Sequence, residues 1–172
     1  RGLLVRLLAG DKGEDFGKHI IPYAINRLNV KAFKFHGYWE DIGTIKAFFR
    51  ANLALTDPLP EFDLYRRERP IYTRPRYLPP SKIFGCNIQG SMVCEGCVLE
   101  SCDVEHSIIG IRSRIDTGAS LNKVIMMGAD HYQTSKEIDL DRSAGSPRVG
   151  IGAGSVIENA IIDKNARIGD RV

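Results

Sequence analysis

From residue 83 to residue 168 the aliphatic positions keep a step of five or six. Ile83, Ile88, Val93, Leu99, Val104, Ile109, Ile115, Leu121 and Met127 follow one another at that step, and Ile151, Ile157, Ile162 and Ile168 resume it. Two residues before most of them stands a small side chain: Cys86, Ser91, Cys97, Cys102, Ser107, Ser113 and Ala119, then Ser155, Ala160 and Ala166. One residue after many comes a turn-former or an acid, as at Gly110, Asp116, Asn122, Gly128, Gly152, Asp163 and Gly169. This hexapeptide repeat predicts a parallel β-helix, in which each short strand buries one aliphatic side chain, a small residue fits the crowded wall and the chain bends at each corner. Each coil then buries the face of its neighbour. An antiparallel sandwich would not need the small column in step with the large one. Residues 129–148 break the period and are expected to loop out, and the repeat still runs at Val172, so we expect a chain cut within it.

The first third has a different texture. Val30 to His36 alternates apolar and polar residues, which predicts a half-buried strand ending at Gly37. Thr44 is placed to cap a helix carrying Ile45, Phe48, Phe49 and Leu53 and running through Leu55. Upstream, Asp15-Phe16-Gly17 reads as a turn into a helix near Lys18 to Leu28, with Ile20, Ile21, Ala24, Ile25 and Leu28 as its buried stripe. Pro22 moves the first turn of that helix to about its own position. Between the strand and the second helix, Gly37 to Thr44 holds Tyr38, Trp39, Glu40 and Asp41. A strand-to-helix connection leaves backbone N–H groups free and lets carboxylates reach a ligand. Spacing alone equally allows Glu40 and Asp41 to decorate a helix start with Trp39 in the core.

From Asp57 the chain turns proline-rich. Six of its eight prolines, Pro58, Pro60, Pro70, Pro75, Pro79 and Pro80, fall in one stretch, which predicts an extended interdomain linker. Arg66, Arg67, Arg69, Arg74, Arg76 and Lys82 gather there with Glu68 as the nearby acid, either as a solvated basic face or as an anion site, because guanidinium forks match phosphate oxygens. Across the 172 residues, 24 basic side chains meet 21 acidic ones, and a net charge of +3 gives no global field for nucleic acid or a membrane. A small-molecule partner is expected. The apolar and basic start, Arg1 to Gly10, is too short and interrupted for a signal peptide or a spanning helix. Without an initiator Met, the chain reads as a piece of something longer. Four cysteines without an extracellular framework point to a reducing compartment. Cys94 and Cys97 resemble half a zinc site, but Cys86, Cys97 and Cys102 occupy the small column and no second pair follows. His19, His36, His106 and His131 are scattered and pair with no nucleophile.

Longer phrases then narrow the field. Tyr38-Trp39-Glu40-Asp41-Ile42-Gly43-Thr44, Asp15-Phe16-Gly17 followed by Ile20-Ile21-Pro22, the segment from Ile71 to Pro80, and the segment from Ile161 to Gly169 closely resemble the ADP-glucose pyrophosphorylase family, in its cyanobacterial and plant type. The resemblance covers essentially the whole chain. It implies an α/β plus β fold: the C-terminal part of a Rossmann-like nucleotidyltransferase domain over residues 1–57, a linker over 58–80, and a left-handed parallel β-helix over 81–172 with an insertion at 129–148. It further implies that the family's glycine-rich ATP loop, an upstream metal-binding aspartate and a sugar-phosphate lysine are outside this chain, so that the isolated fragment is inactive.

Residue by residue, the resemblance implies that Asp41 ligates Mg²⁺ and acts in catalysis, and that Asp15, Phe16, Trp39 and Asp41 line the glucose 1-phosphate pocket. Arg76 and Lys164 match positions at an anionic effector site for 3-phosphoglycerate and phosphate, and Arg74, where related chains vary, is placed to tune effector preference. The expected substrates are ATP and glucose 1-phosphate, and the expected assembly is a homo- or heterotetramer, cytoplasmic in a bacterium and plastidial in a plant. The alternatives are a non-catalytic regulatory subunit of the same enzyme, another sugar-1-phosphate nucleotidyltransferase such as a mannose 1-phosphate guanylyltransferase, a β-helix acyltransferase with a histidine base, and a free-standing binding scaffold.

Overall fold

The computed structural model describes residues 2–10 and 15–172, and the chain divides into two compact units, residues 1–37 and 38–172. In the first unit, α1 spans Gly2–Ala9, and a π-helical turn over Phe16–Ile20 runs directly into α2, Ile21–Ile25. The helical stretch thus begins two residues before the expected start at Lys18 and ends before Leu28. Asp15 caps it, its side chain accepting from Lys18 N at 2.6 Å, and Pro22 lies in the first turn of α2, where its missing N–H costs nothing. Of the expected stripe, Ile20 and Ala24 are buried while Ile21 and Ile25 remain exposed.

Residues 30–36 correct the strand expectation. They are exposed and carry no helix or strand, and among the described residues no strand pairs with them. Alternation gives a segment two faces, but a strand exists only where a neighbour accepts its ladder hydrogen bonds.

The second unit opens with an extended stretch and α3, Ile45–Leu53, followed by a 3₁₀ turn at Ala54–Thr56. Thr44 caps α3, accepting from Ala47 N at 3.1 Å, as its position predicts. Phe48, Phe49 and Leu53 are half-buried, whereas Ile45 is 81% exposed. Residues 57–81 carry no helix or strand.

The remainder is a three-faced parallel β-helix. The first face stacks β1 (Lys82–Phe84), β4 (Val98–Glu100), β7 (Arg114–Ile115), β9 (Gly150–Ile151) and β11 (Arg167–Ile168), all parallel. The second stacks β2 (Asn87–Gln89), β5 (Asp103–Glu105) and the first halves of β8 (Ser120–Met126) and β10 (Val156–Ile162). The third stacks β3 (Met92–Val93), β6 (Ile108–Ile109) and the second halves of β8 and β10. One inward column follows from each face: Ile83, Leu99, Ile115, Ile151 and Ile168; Ile88, Val104, Leu121 and Ile157; Val93, Ile109, Met126 and Ile162. All of these but Ile83, which stays 47% exposed, form the core or pack against it. Met126, not Met127, is the inward residue of its coil, because the step returns from six to five after Leu121, and Val124 then takes the place of the small residue.

The small column has a reason beyond size. Ser107 is fully buried; its Oγ donates to the Glu105 carbonyl at 2.7 Å and accepts the Val124 N–H, from the next coil, at 2.9 Å. Ser91 does the same for Ser107 N, at 3.0 Å, and Ser155 for Val172 N, at 3.3 Å. These hydroxyls satisfy corner N–H groups that a bending backbone withdraws from the ladder. Cysteine substitutes in the wall, the Cys97 thiol donating to the Gly110 carbonyl at 3.0 Å and the Cys86 and Cys102 sulfurs meeting at 3.3 Å. Burial pushes the Cys97 thiol up, and burial with its Cys86 neighbour pushes Cys102 up to about 12, as expected of thiols packed in an apolar wall.

Corners recur two or three residues after each inward aliphatic and place one residue at positive φ: Gly85, Gly90 and Gly96 in the first coil, Ser101, His106 and Arg112 in the second, Gly118, Lys123 and Gly128 in the third. Residues 129–149 leave the third coil and return at β9. They carry α4, Ser135–Ser143, closed at its start by a capping box between Thr134 and Glu137. Gln133 fastens the neck, donating to Asp141 at 2.6 Å and accepting from Val149 N at 2.7 Å.

Candidate functional site

The expected sugar-phosphate residues fall in both units. In the first, the Asp15 carboxylate is held by Lys18 N, its backbone carbonyl accepts from His19 N at 3.0 Å, and Phe16 is half exposed beside it. In the second, Trp39 is 74% exposed and so does not sit in a core. Asp41 Oδ1 accepts from Gly43 N at 2.9 Å, a local turn that fixes the carboxylate just before the capped α3. Gly43 serves this turn directly, since a Cβ there would stand 3.1 Å from Asp41 Oδ1. The side chain of Tyr38 stacks on Phe62 at 6.3 Å, so the segment is anchored on one side and open on the other.

Among the described residues no three His, Cys, Asp or Glu side chains gather closely enough to enclose a metal. Asp41 nevertheless suits Mg²⁺, which takes oxygen ligands and is commonly held by one or two carboxylates together with substrate phosphates and water.

The expected anion residues lie along one edge of the β-helix. Corner backbones stack there by hydrogen bonds: Arg112 N donates to the Glu95 carbonyl at 3.2 Å, Ala129 N to Ile111 at 2.9 Å, and Asn165 N to Gly128 at 3.0 Å. At one end, Ile71 to Arg76, including Arg74 and Arg76, line a groove of about 550 Å³ with Cys94, Glu95 and Ile111. Lys164 stands at the other end, beside Asn165. Three ladder spacings separate the two ends, roughly 14 Å.

Two charged residues on this edge escaped the sequence reading. Asp130, the second residue of the insertion, pairs with Lys164, and Arg112 occupies a left-handed corner between the groove and Lys164. Nothing in spacing flags either one; only the stacked corners bring them together.

Comparison with known families decides the membership. Residues 76–172 match the family model described as the GLGC left-handed parallel beta-helix domain, more than half of the chain, and residues 3–58 match the nucleotidyl transferase model. The chain belongs to the GLGC β-helix family. Its solenoid is therefore a left-handed β-helix, joined to part of a nucleotidyltransferase domain, in an arrangement of the ADP-glucose pyrophosphorylase-like kind. A sugar-1-phosphate nucleotidyltransferase is the enzyme class this GLGC-family chain represents.

Proposed function

We propose that the intact enzyme carrying this chain is a glucose-1-phosphate adenylyltransferase of glycogen or starch synthesis. The observation that carries the reading is Asp41: an exposed carboxylate, one oxygen tied to Gly43 N, two residues after the exposed Trp39, in a chain matching both family models. In this reading a phosphate oxygen of glucose 1-phosphate attacks the α-phosphorus of ATP, its P–O bond forms as the α–β bridge breaks, and pyrophosphate leaves with the electron pair. Asp41 would hold Mg²⁺, which when bound supplies neutralising charge at the transferring phosphate. Trp39 offers an apolar ring face to the sugar. Positioning and charge stabilisation carry the catalysis, with no covalent intermediate on the protein.

A second part of the proposal concerns regulation. Arg74, Arg76 and Lys164 form an effector edge for small anions such as phosphate or 3-phosphoglycerate, a reading supported by their common edge of the β-helix. An effector acts there by binding two states of the enzyme with different affinity.

The catalytic half is tested by Asp41→Asn in the intact enzyme, which keeps the side chain's size and its acceptor for Gly43 N. We expect kcat to fall at least about 100-fold, with an unchanged thermal melt. Near-normal turnover in a folded variant removes Asp41 from the reacting site.

A further inference from the structure

Lys164 does not face solvent alone. Its Nζ stands 3.0 Å from Asp130 Oδ1; the other carboxylate oxygen accepts from Asn165 Nδ2 at 2.8 Å, and the Asp130 N–H donates to Asn165 Oδ1 at 2.9 Å. Arg112 adds a favourable charge from further off, its own guanidinium fixed by a 3.2 Å bond to the Ala129 carbonyl. Asp130 thus presents two oxygens to an amide and an ammonium, with a guanidinium further off, the groups that would meet an oxyanion from outside. The hydrogen bond from Asn165, then that from Lys164, holds its carboxyl below the usual aspartate range, so it stays ionised.

We propose that Asp130 is an internal competitor: it fills the anion site formed by Lys164, Asn165 and Arg112 and must leave before a small phosphorylated dianion binds. The inference rests on the effector reading above and adds to it the occupant, two further contact residues and the ligand's charge. Both partners are about half exposed, with side-chain exposures of 51% and 56% for Lys164 and Asp130. An exposed pair of this kind contributes little stability, so displacing it costs little. Because the competitor is tethered, its effective concentration is in the millimolar range, and a monoanion that merely replaces one charge by one gains no advantage over it. A dianion does. Asp130 accordingly selects for phosphate-bearing ligands over simple carboxylates.

The test is calorimetric titration of the 172-residue chain with inorganic phosphate, 3-phosphoglycerate and acetate, for wild type, Asp130→Asn and Lys164→Ala. Removing the competing charge should tighten phosphate binding about threefold to tenfold and bring up acetate binding, while Lys164→Ala weakens both phosphorylated ligands. Far-UV circular dichroism and a thermal melt check each variant's fold; should Asp130→Asn melt early, Asp130→Ser takes its place. Unchanged or weaker phosphate binding in the Asp130 variants, with Lys164→Ala still impaired, overturns the competitor and leaves the effector edge standing. Phosphate binding that ignores Lys164, or is absent from every variant, overturns both.

Discussion

Ser107→Ala isolates what the small column does. The side chain is fully buried and linked to two coils, donating to the Glu105 carbonyl at 2.7 Å and accepting from Val124 N at 2.9 Å. Alanine fits the space, so no clash is introduced, but the Val124 N–H is left in the wall without a partner. An unsatisfied buried donor costs about 1–3 kcal/mol, and the lost donation to Glu105 adds about 1 kcal/mol, giving roughly 2–4 kcal/mol in all. With an m-value of about 2 kcal/mol/M in urea, the midpoint should fall by roughly 1–2 M. Ser101→Ala is the matched control: the same chemical change at an exposed corner, where the serine hydroxyl makes no hydrogen bond among the described residues, should stay within about 0.5 kcal/mol. Ser107→Cys should fall between them, since Cys97 shows that the wall accepts a thiol but sulfur is a weak acceptor. Equal midpoints for wild type and Ser107→Ala, or an equal loss in Ser101→Ala, would show that the column is a matter of size alone.

Two further predictions concern the coil backbone and the insertion. Gly150 and Gly154 both have positive φ, but a Cβ at Gly150, φ +122°, would stand 2.5 Å from the Arg114 carbonyl, whereas at Gly154, φ +67°, it meets only the Arg171 side chain at 3.5 Å. Gly150→Ala should therefore cost more than about 3 kcal/mol and Gly154→Ala about 1 kcal/mol by denaturant midpoint; similar losses would refute the geometric distinction. The insertion is clasped through Asp141, whose carboxyl is held below its usual range by Arg167 and then by Gln133. A depressed pKa stabilises the fold above the unfolded value, ~3.9 for aspartate, and that stabilisation is lost as pH falls through the folded value. Amide exchange across residues 135–149 should accelerate selectively below about pH 4, and Asp141→Asn should show the faster exchange already at neutral pH; exchange that stays protected in both would leave the clasp without effect.

Much of the β-helix was legible because its period repeats on every coil, so each aliphatic confirms the next. Where the signal repeats, phase errors are local. Val124-Ile125-Met126-Met127 is a run of apolar residues in which period cannot choose the inward side chain, and only the ladder that pairs Met126 with Ile109 does so. The left-handed corners of the first coil fall on Gly85, Gly90 and Gly96, but one coil on Ser101, His106 and Arg112 take the same conformation, which residue type does not announce, because they stack on those glycines. Residues 30–36 failed as a strand for the opposite reason: alternation is a property of the segment, but pairing belongs to the neighbour. Beside the candidate site, spacing left Asp41 open between ligand and helix decoration and only the resemblance gave it a role, whereas Thr44 could be read from cap chemistry. Asp130 could not, since the lysine it faces is 34 residues away and the contact exists only because the insertion starts at a corner.

The most direct test of the functional account is pyrophosphate release by the intact polypeptide that carries residues 1–172, supplied with glucose 1-phosphate and either ATP or GTP. Turnover with ATP that responds to 3-phosphoglycerate is the predicted result. Turnover with GTP alone, or no pyrophosphate with either nucleotide, would contradict the adenylyltransferase assignment.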